Sequence, residues 1–273
     1  MPAAVASQES AFSDDVEIPL RQQLGVSLFM PGRVGEHTGI KIVSTVPGNP
    51  AGLVMVLGAD GSPLGVVDGP TLTAIRTGAG AGLATRILAP SGARVLAMLG
   101  AGAMAFDQVE AVRAVRPIES VLVWSRSAPR AEELAARVDG EVVNDADAAI
   151  ARADVVSCAT PAGEPLFAAG SVRPNTHINA IGAFRPGMVE VPAEIVRQAY
   201  VVVDDVEAAA TEAGDLIAAG RTPDATVGDL LAGRASPRGG VTLFKSVGIA
   251  SQDVAAALAA LSEASRLGVG TEV

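Results

Sequence analysis

The feature that most constrains this chain is an apolar run that ends in a glycine-rich turn, RVLAMLGAGAMA at residues 94–105. Residues 95–99 are apolar on both faces, which is typical of a strand buried in a parallel sheet. The turn has the pattern G-x-G-x-x-A, and residues 106–115 continue it with helical periodicity. The sequence therefore predicts a strand, a tight turn and a helix in direct succession.

This turn predicts a dinucleotide-binding site. Gly100 permits the tight turn, Gly102 lets the backbone approach a pyrophosphate, and Ala105 lets the helix pack closely on the strand. Ala103 and Met104 precede the helix, whose free N–H groups and dipole favour an anion. In a chain with 30 glycines the pattern alone is weak, and its position between a predicted strand and a predicted helix is what supports it.

The end of the next predicted strand indicates which dinucleotide is bound. Ser125, Arg126 and Ser127 follow this strand, about 23 residues beyond Gly102, where a ribose-reading residue is expected. No acidic residue is present there to bind a ribose 2′-hydroxyl, whereas Arg126 offers a planar cation for a 2′-phosphate. This pattern favours NADP(H), and NAD(H) remains possible. The alternative is that Arg126 is simply a solvated loop residue.

Strands and helices are predicted to alternate from residue 94 onward, as in an α/β doubly wound parallel sheet of the Rossmann type. The predicted strands are 94–99, 120–124, 141–143, 154–158, 176–181 and 200–204. The predicted helices are 103–115, 128–138, 145–152 and 206–213.

The flanking segments have a different pattern. Residues 1–15 are predicted to be disordered or loosely attached, and short β-like segments fill residues 16–68 before a predicted helix at 71–88. Residues 220–240 form a predicted polar loop. A last strand at 241–245 and a helix over 251–267, with Ser251 as its N-cap, complete the chain.

Composition and charge exclude several classes of protein. The formal net charge of -10 argues against a nucleic-acid or anionic-membrane partner. The single cysteine, Cys158, excludes a disulfide framework, and His37 and His177 lack metal-ligand spacing. Because the chain has neither a secretory signal nor an apolar run of membrane-spanning length, a cytoplasmic protein is predicted by elimination.

Three cations lie in small or apolar surroundings in the first part of the chain. They are Arg21 in IPLRQQL, Lys41 in GIKIVS and Arg76 in TAIRTGA. A single cation of this kind usually extends its head to solvent or pairs with an acid. As a set that precedes a dinucleotide-binding segment, the three suggest a clamp for a substrate carboxylate.

Seven segments, in this order, resemble the ornithine cyclodeaminase/mu-crystallin family. They are GIKIVSTVPGNPAG, DGPTLTAIRTGAGAGLATR, LGAGAMA, VWSRS, NAIGAFRPGMVEV, VVVDDVEAAATEAGDL and LFKSVGIASQDVAAA. The resemblance implies a dinucleotide-binding domain at 93–240 and a smaller α+β domain for substrate binding and dimerisation at 1–92 and 241–273. It also implies a homodimer and a small imino or amino acid substrate.

The resemblance assigns roles to individual residues. The substrate carboxylate clamp falls on Arg21, Lys41 and Arg76, and Lys41 is also the catalytic candidate. The cofactor-binding positions are Thr77, Gly100, Gly102, Ala103, Met104, Ser125, Arg126, Ser127, Thr160 and Pro161. Thr160 and Pro161 follow the fourth predicted strand of the dinucleotide-binding domain, where the family lines the nicotinamide side.

Two departures from the family pattern refine the functional hypothesis. Phe184 stands where cyclodeaminases and alanine dehydrogenases have an aspartate, and cyclodeamination needs such a base. A helical segment of the family is expected to be missing before Arg21. The leading hypothesis is an NAD(P)H-dependent reductase of cyclic ketimine acids such as pyrroline-2-carboxylate or piperideine-2-carboxylate. The alternatives are an ornithine cyclodeaminase, an alanine-type dehydrogenase and a non-enzymatic ligand-binding protein of the crystallin type.

Overall fold

A computed structural model describes residues 1–46 and 51–271. It contains two sheets and ten α-helices within that part of the chain. The strands are β1 (Val16–Glu17), β2 (Gln22–Leu24), β3 (Ser27–Val34), β4 (His37–Ser44), β5 (Gly52–Leu57), β6 (Pro63–Asp68), β7 (Val95–Leu99), β8 (Ser120–Trp124), β9 (Glu141–Val142), β10 (Val155–Cys158), β11 (His177–Ala180), β12 (Tyr200–Val203), β13 (Ala225–Thr226) and β14 (Thr242–Lys245). The helices are α1 (Pro2–Ala11), α2 (Gly69–Leu88), α3 (Ala105–Val115), α4 (Ala128–Val138), α5 (Ala146–Ile150), α6 (Ala193–Gln198), α7 (Val206–Glu212), α8 (Gly214–Ala219), α9 (Val227–Leu231) and α10 (Ala250–Leu267).

Residues 77–248 form a unit around the larger sheet. Its eight strands are all parallel, in the order β13-β12-β14-β11-β10-β7-β8-β9. Two apolar clusters form its core, and the central strands β7, β10 and β11 are almost wholly buried. The predicted α/β doubly wound parallel sheet is confirmed.

The strand order places a topological switch point beside β7. The chain continues from β7 to β8 and β9 on one side, then returns to β10 on the other side. In doubly wound sheets a crevice opens at such a point, outside the carboxyl ends of the strands. Here those ends lead into Gly100 and Thr160.

Residues 3–76 and 249–271 belong to the second unit, which is built on an antiparallel sheet. Its strands run β1-β3-β4-β5-β6, and β2 pairs with β3. Helix α10 packs across β3, β4, β5 and β6. Glycines permit this close packing: a Cβ atom on Gly39 would lie 2.9 Å from Cγ2 of Val254, and one on Gly65 would lie 2.5 Å from Cδ2 of Leu261.

Three local predictions are wrong. Residues 2–11 form α1, on which Val5 and Gln8 are buried, so this segment is not disordered. The predicted polar loop at 220–240 contains β13 and α9. Ser251 is not an N-cap, because α10 begins at Ala250 and Ile249 occupies the cap position.

The two units divide the chain at other places than the predicted domain boundaries. One boundary lies within α2, between Arg76 and Thr77, so residues 77–92 belong to the unit of the parallel sheet. The other lies after Gly248, because β14 pairs with β11 and β12 in the middle of that sheet. The roles predicted for the two domains remain predictions.

The lone histidines and the cysteine have no metal-site geometry. His177 is buried on β11 between the side chains of Thr242 and Asn179, and burial lowers its pKa from 6.5 to about 3. Cys158 is buried on β10, and burial raises its pKa. Within the described ranges, no three His, Cys, Asp or Glu side chains are grouped to hold a metal ion. No helix in the same ranges has the length and apolar character of a membrane span.

Candidate active site

The turn after β7 has the geometry of a pyrophosphate-binding loop. Gly100 has a φ of +109°, and a Cβ atom there would lie 2.6 Å from the carbonyl oxygen of Ala159. Gly102 is exposed, and a Cβ atom at this position would meet nothing within 4 Å. The next helix, α3, has Met104 as its N-cap without a side-chain capping hydrogen bond. This glycine-lined opening at an uncapped helix N-terminus fits a pyrophosphate.

The residues predicted to read the ribose follow β8. Arg126 is exposed, while Ser125 and Ser127 are partly buried and linked by a 3.2 Å hydrogen bond from the Ser127 N–H to the Ser125 hydroxyl. Arg126 makes no ion pair with any residue that the structure describes. Its guanidinium therefore retains its hydrogen-bond donors for an anion.

Thr160, next to Pro161 after β10, is held by a buried carboxylate. Oε1 of Glu190 accepts hydrogen bonds from the Thr160 N–H at 2.7 Å and the Thr160 hydroxyl at 3.0 Å. Oε2 of the same side chain accepts from the N–H groups of Gly182 and Ala183 after β11. Glu190 thus ties the turn after β10 to the turn after β11, and burial raises its pKa.

A buried ion pair supports this carboxylate. Oδ1 of Asp215 accepts from the N–H groups of Glu190 and Val191, and its Oδ2 lies 2.9 Å from Nζ of Lys245. The side chains of Asp215 and Lys245 are both fully buried. The turns after β10 and β11 are therefore fixed by a charged network inside the parallel-sheet unit.

The predicted carboxylate clamp lies in the antiparallel-sheet unit. Lys41 on β4 and Arg76 on α2 are both buried, and both contact Asp253 in the first turn of α10. The distance from Lys41 Nζ to Asp253 Oδ2 is 2.8 Å, and that from Arg76 Nε to Asp253 Oδ1 is 2.9 Å. Arg76 Nη1 also lies 3.4 Å from Oε1 of Gln252. The structure thus brings together two of the three predicted cations.

The surroundings of Lys41 change its protonation. Burial lowers the pKa of its amine from 10.5 to about 8, and the Asp253 carboxylate opposes this shift. The positive charges of Arg76 and Arg21 lower the pKa further. Arg21 itself is partly buried before β2, and Thr77, which follows Arg76 on α2, is buried.

Comparison with known proteins identifies the family. A sequence profile described as the ornithine cyclodeaminase/mu-crystallin family matches residues 3–266. The chain belongs to this family. The mouse ketimine reductase mu-crystallin is 38% identical over 218 residues, which is 78% of this chain and 69% of the mouse protein.

Solved structures of family members have the same fold. Delta(1)-pyrroline-2-carboxylate reductase of Thermococcus litoralis, in complex with NADH and L-proline, is 32% identical with a TM-score of 0.91, over 99% of this chain and 95% of that one. An archaeal alanine dehydrogenase dimer with bound NAD is 30% identical with a TM-score of 0.91, over 99% of this chain and 93% of that one.

The sequence analysis does not predict three buried acidic residues of the two units, Asp253, Glu190 and Asp215. Asp253 lies in the segment LFKSVGIASQDVAAA, and the only sign of its importance is an acid in an otherwise alanine-rich helix. Such an acid is usually explained by the helix dipole, which favours negative charge in the first turn. Glu190 and Asp215 lie in loops and short helices, where an acid is unremarkable. Their roles depend on contacts between residues far apart in the chain.

Proposed function

We propose that this protein reduces a cyclic ketimine acid of the pyrroline-2-carboxylate or piperideine-2-carboxylate type to the cyclic amino acid, using NADPH or NADH. The observation that carries the proposal is the pairing of Lys41 and Arg76 on the buried carboxylate of Asp253. The names of two relatives, a ketimine reductase and a pyrroline-2-carboxylate reductase, support the same reaction.

The two cations retain hydrogen-bond donors for a substrate carboxylate. An arginine has five N–H donors, and Arg76 directs its Nε toward Asp253 and its Nη1 toward Gln252. Lys41 has three donors and directs one toward Asp253. Their charges are buried, so an anion that reaches them is bound more strongly than in water.

Lys41 also suits the proton transfer that reduction of an imine requires. With a pKa near 8, its amine is mostly protonated at neutral pH and releases a proton more readily than an ordinary lysine does. When bound at the turn after β7, the nicotinamide cofactor supplies the hydride. In the ammonium form Lys41 gives a proton to the imine nitrogen, which makes the imine carbon a better hydride acceptor, and the lysine is left as the neutral amine. Imine reduction is therefore expected to slow as the pH rises above about 8, and oxidation of the amino acid to speed up.

The region around Phe184 favours reduction over cyclodeamination. Phe184 is 40% exposed, and the Arg185 guanidinium lies 5.3 Å from its ring centroid. The carboxylate held in the same region, Glu190, has both oxygens occupied by hydrogen bonds. A fully bonded carboxylate is a poor general base, so no acid in this segment replaces the aspartate of the cyclodeaminases.

The choice of cofactor is a separate proposal. Ser125, Arg126 and Ser127 present a cation and two hydroxyls after β8, with no acid among them, and this supports NADPH over NADH. The solved relatives were complexed with NADH or NAD, so the proposal distinguishes this chain from them.

A homodimer is also proposed. Cross-strand pairing places apolar side chains on the face of the antiparallel sheet opposite α10: Phe29, Pro31, Ile40, Ile42, Leu53, Met55 and Val66. Antiparallel sheets usually leave a polar face to solvent, so an apolar second face calls for a cover. A second copy of the chain is the proposed cover, and the dimeric archaeal relative supports it.

An assay of substrates tests the enzymatic proposal. Purified protein is mixed with NADPH or NADH and with pyrroline-2-carboxylate, piperideine-2-carboxylate, or pyruvate with ammonia or methylamine, and nicotinamide absorbance is followed. A separate ornithine reaction is analysed for ammonia. We expect oxidation of the cofactor with a cyclic imine, and loss of at least 100-fold of kcat/KM in Lys41→Met.

The other outcomes of this assay identify the alternatives. Ammonia released from ornithine without net change of cofactor would indicate a cyclodeaminase. Turnover of pyruvate and ammonia alone would indicate an alanine-type dehydrogenase. Cofactor binding without turnover of any of these compounds would favour a ligand-binding protein.

A further inference from the structure

We propose that Asp253 is the positioning residue of this site, the group that fixes Lys41 and Arg76 side by side in the arrangement that a substrate carboxylate meets. The proposal rests on the proposed function. Asp253 is 1% exposed, and its two oxygens serve different cations, Oδ2 for Lys41 and Oδ1 for Arg76. The carboxylate of Asp253 on α10 therefore bridges Lys41 on β4 and Arg76 on α2.

Without this carboxylate the two cations would not remain together. Lys41 and Arg76 are buried, and two like charges in a medium of low dielectric repel each other strongly. Both have long flexible side chains that adopt other rotamers when they lose a partner. A single anion between them fixes both positions before substrate arrives, which lowers the entropic cost of binding.

The start of α10 holds the carboxylate in place. Gln252 precedes Asp253, and its Oε1 accepts a hydrogen bond from the N–H of Ile249 at 3.1 Å. The same oxygen lies 3.4 Å from Nη1 of Arg76. Two consecutive residues of the first helical turn thus contact one guanidinium.

The same carboxylate controls the proton on Lys41. The charged groups around Lys41 are Asp253 from α10, Arg76 from α2 and Arg21 from the segment before β2. Its cross-strand neighbours, Met30 and Val54, carry no charge. Asp253 is the single negative charge in this set, so its removal lowers the pKa of Lys41 below the value of about 8. A larger fraction of the amine would then be neutral at neutral pH.

Because the chain contains few lysines, the titration of Lys41 can be measured directly. The sequence contains two lysines, Lys41 and Lys245, and each is buried against an aspartate. Protein labelled with 13C-lysine therefore gives two Cε signals, which Lys41→Met assigns. We expect the Lys41 signal to titrate near pH 8 in the wild type, and at least about one pH unit lower in Asp253→Asn. The Lys245 signal should be the same in both proteins.

Kinetics test the positioning role. In Asp253→Asn, kcat/KM for the cyclic imine at pH 7 should fall about 100-fold, and the alkaline limb of its pH profile should move to lower pH by the shift seen for Lys41. Asp253→Glu keeps the charge but displaces the carboxylate, so the limb should stay in place while kcat/KM falls about 10- to 100-fold. Asp224→Asn removes a carboxylate that binds Arg221 in the other unit, and it should change neither quantity.

The outcomes separate this inference from the proposed function. An unchanged Lys41 titration in folded Asp253→Asn would overturn the inference, whatever the protein catalyses. Wild-type kcat/KM in Asp253→Glu would also overturn it, and this variant decides the matter if Asp253→Asn does not fold. If no imine is reduced but the Lys41 titration shifts as expected, the proposed function fails and the role of Asp253 in holding the two cations stands.

Discussion

In the proposed preference for NADP(H), Arg126 is the residue on which the choice of cofactor depends. It is exposed directly after β8, and the residues on either side of it, Ser125 and Ser127, bear hydroxyls. A guanidinium binds a phosphate through two parallel N–H donors, whereas a ribose hydroxyl gains little from a cation. At this position, the binding of NADPH is therefore expected to differ from that of NADH mainly by one charged contact, between the 2′-phosphate and Arg126.

Arg126→Ala should weaken NADPH much more than NADH. Loss of a charge-assisted contact of about 1.5–3 kcal/mol corresponds to an increase of roughly 10- to 150-fold in the Kd of NADPH. The Kd of NADH should change less than about threefold. Fluorescence titration of both cofactors measures this, with Arg152→Ala as a control, because Arg152 is an exposed arginine that pairs with Glu141. Equal losses for the two cofactors would contradict the NADP(H) assignment.

The sequence predicts the individual cations of the site better than their partners. Lys41 and Arg76 are recognisable because a charge in an apolar segment is unusual and because the family resemblance assigns them a role. Asp253 is separated from Arg76 by 177 residues, and their contact depends on how α10 rotates against the sheet. No periodicity within a segment contains that information, because local patterns fix the buried face of a helix but not its distant neighbours.

Among the elements, the buried strands of the parallel sheet are predicted most accurately. The strand predicted at 120–124 is β8, and the helix predicted at 128–138 is α4, because short apolar runs and periodic helices carry strong local signals. Helix α1 was missed because its residues, PAAVASQESA, have no clear apolar stripe. Its helical state depends on the contacts that bury Val5 and Gln8, which are tertiary.

The packing of α10 on the antiparallel sheet depends on glycines in the strands. A Cβ atom on Gly39 would lie 2.8 Å from the carbonyl oxygen of Met55 and 2.9 Å from Cγ2 of Val254. Gly39 has an ordinary backbone conformation, so a substitution there tests the space between strand and helix rather than backbone strain. The helix cannot withdraw without moving Asp253 away from Lys41.

Gly39→Ala should therefore destabilise the protein by about 1–3 kcal/mol, as overpacking of a tight core does. Urea unfolding followed by circular dichroism measures the change. Gly170→Ala is the matched control, because a Cβ atom at Gly170 meets nothing within 4 Å and its φ lies outside the left-handed region. The control should lie within about 1 kcal/mol of the wild type. Equal stability of both variants would show that the strand and α10 are not tightly packed at Gly39.

At the scale of the whole molecule, the antiparallel sheet has two apolar faces. One face carries Val54 and Val56, which are completely buried beneath α10. The opposite face includes Leu53, Met55 and Val66, and Val66 is 56% exposed. Strict alternation along β5 places Val54 and Val56 on one face and Leu53 and Met55 on the other. The pairing of Val66 on β6 with Met55 adds Val66 to the second face. A sheet of this kind is stable in water when its second face is covered, and in a homodimer a self-complementary interface provides the cover.

Val66→Lys should dissociate the proposed dimer. In a two-fold symmetric interface one substitution introduces two unpaired ammonium groups, each of which loses hydration on association. The dimer dissociation constant should rise at least about 100-fold, measured by sedimentation velocity over a range of concentrations. Val142→Lys is the matched control, since Val142 is an exposed valine on the edge strand β9 of the other sheet and its substitution should leave the mass unchanged. A wild-type protein that sediments as a monomer would refute the dimer. A Val66→Lys variant that remains dimeric would place the interface elsewhere on the molecule, and the apolar face would need another occupant.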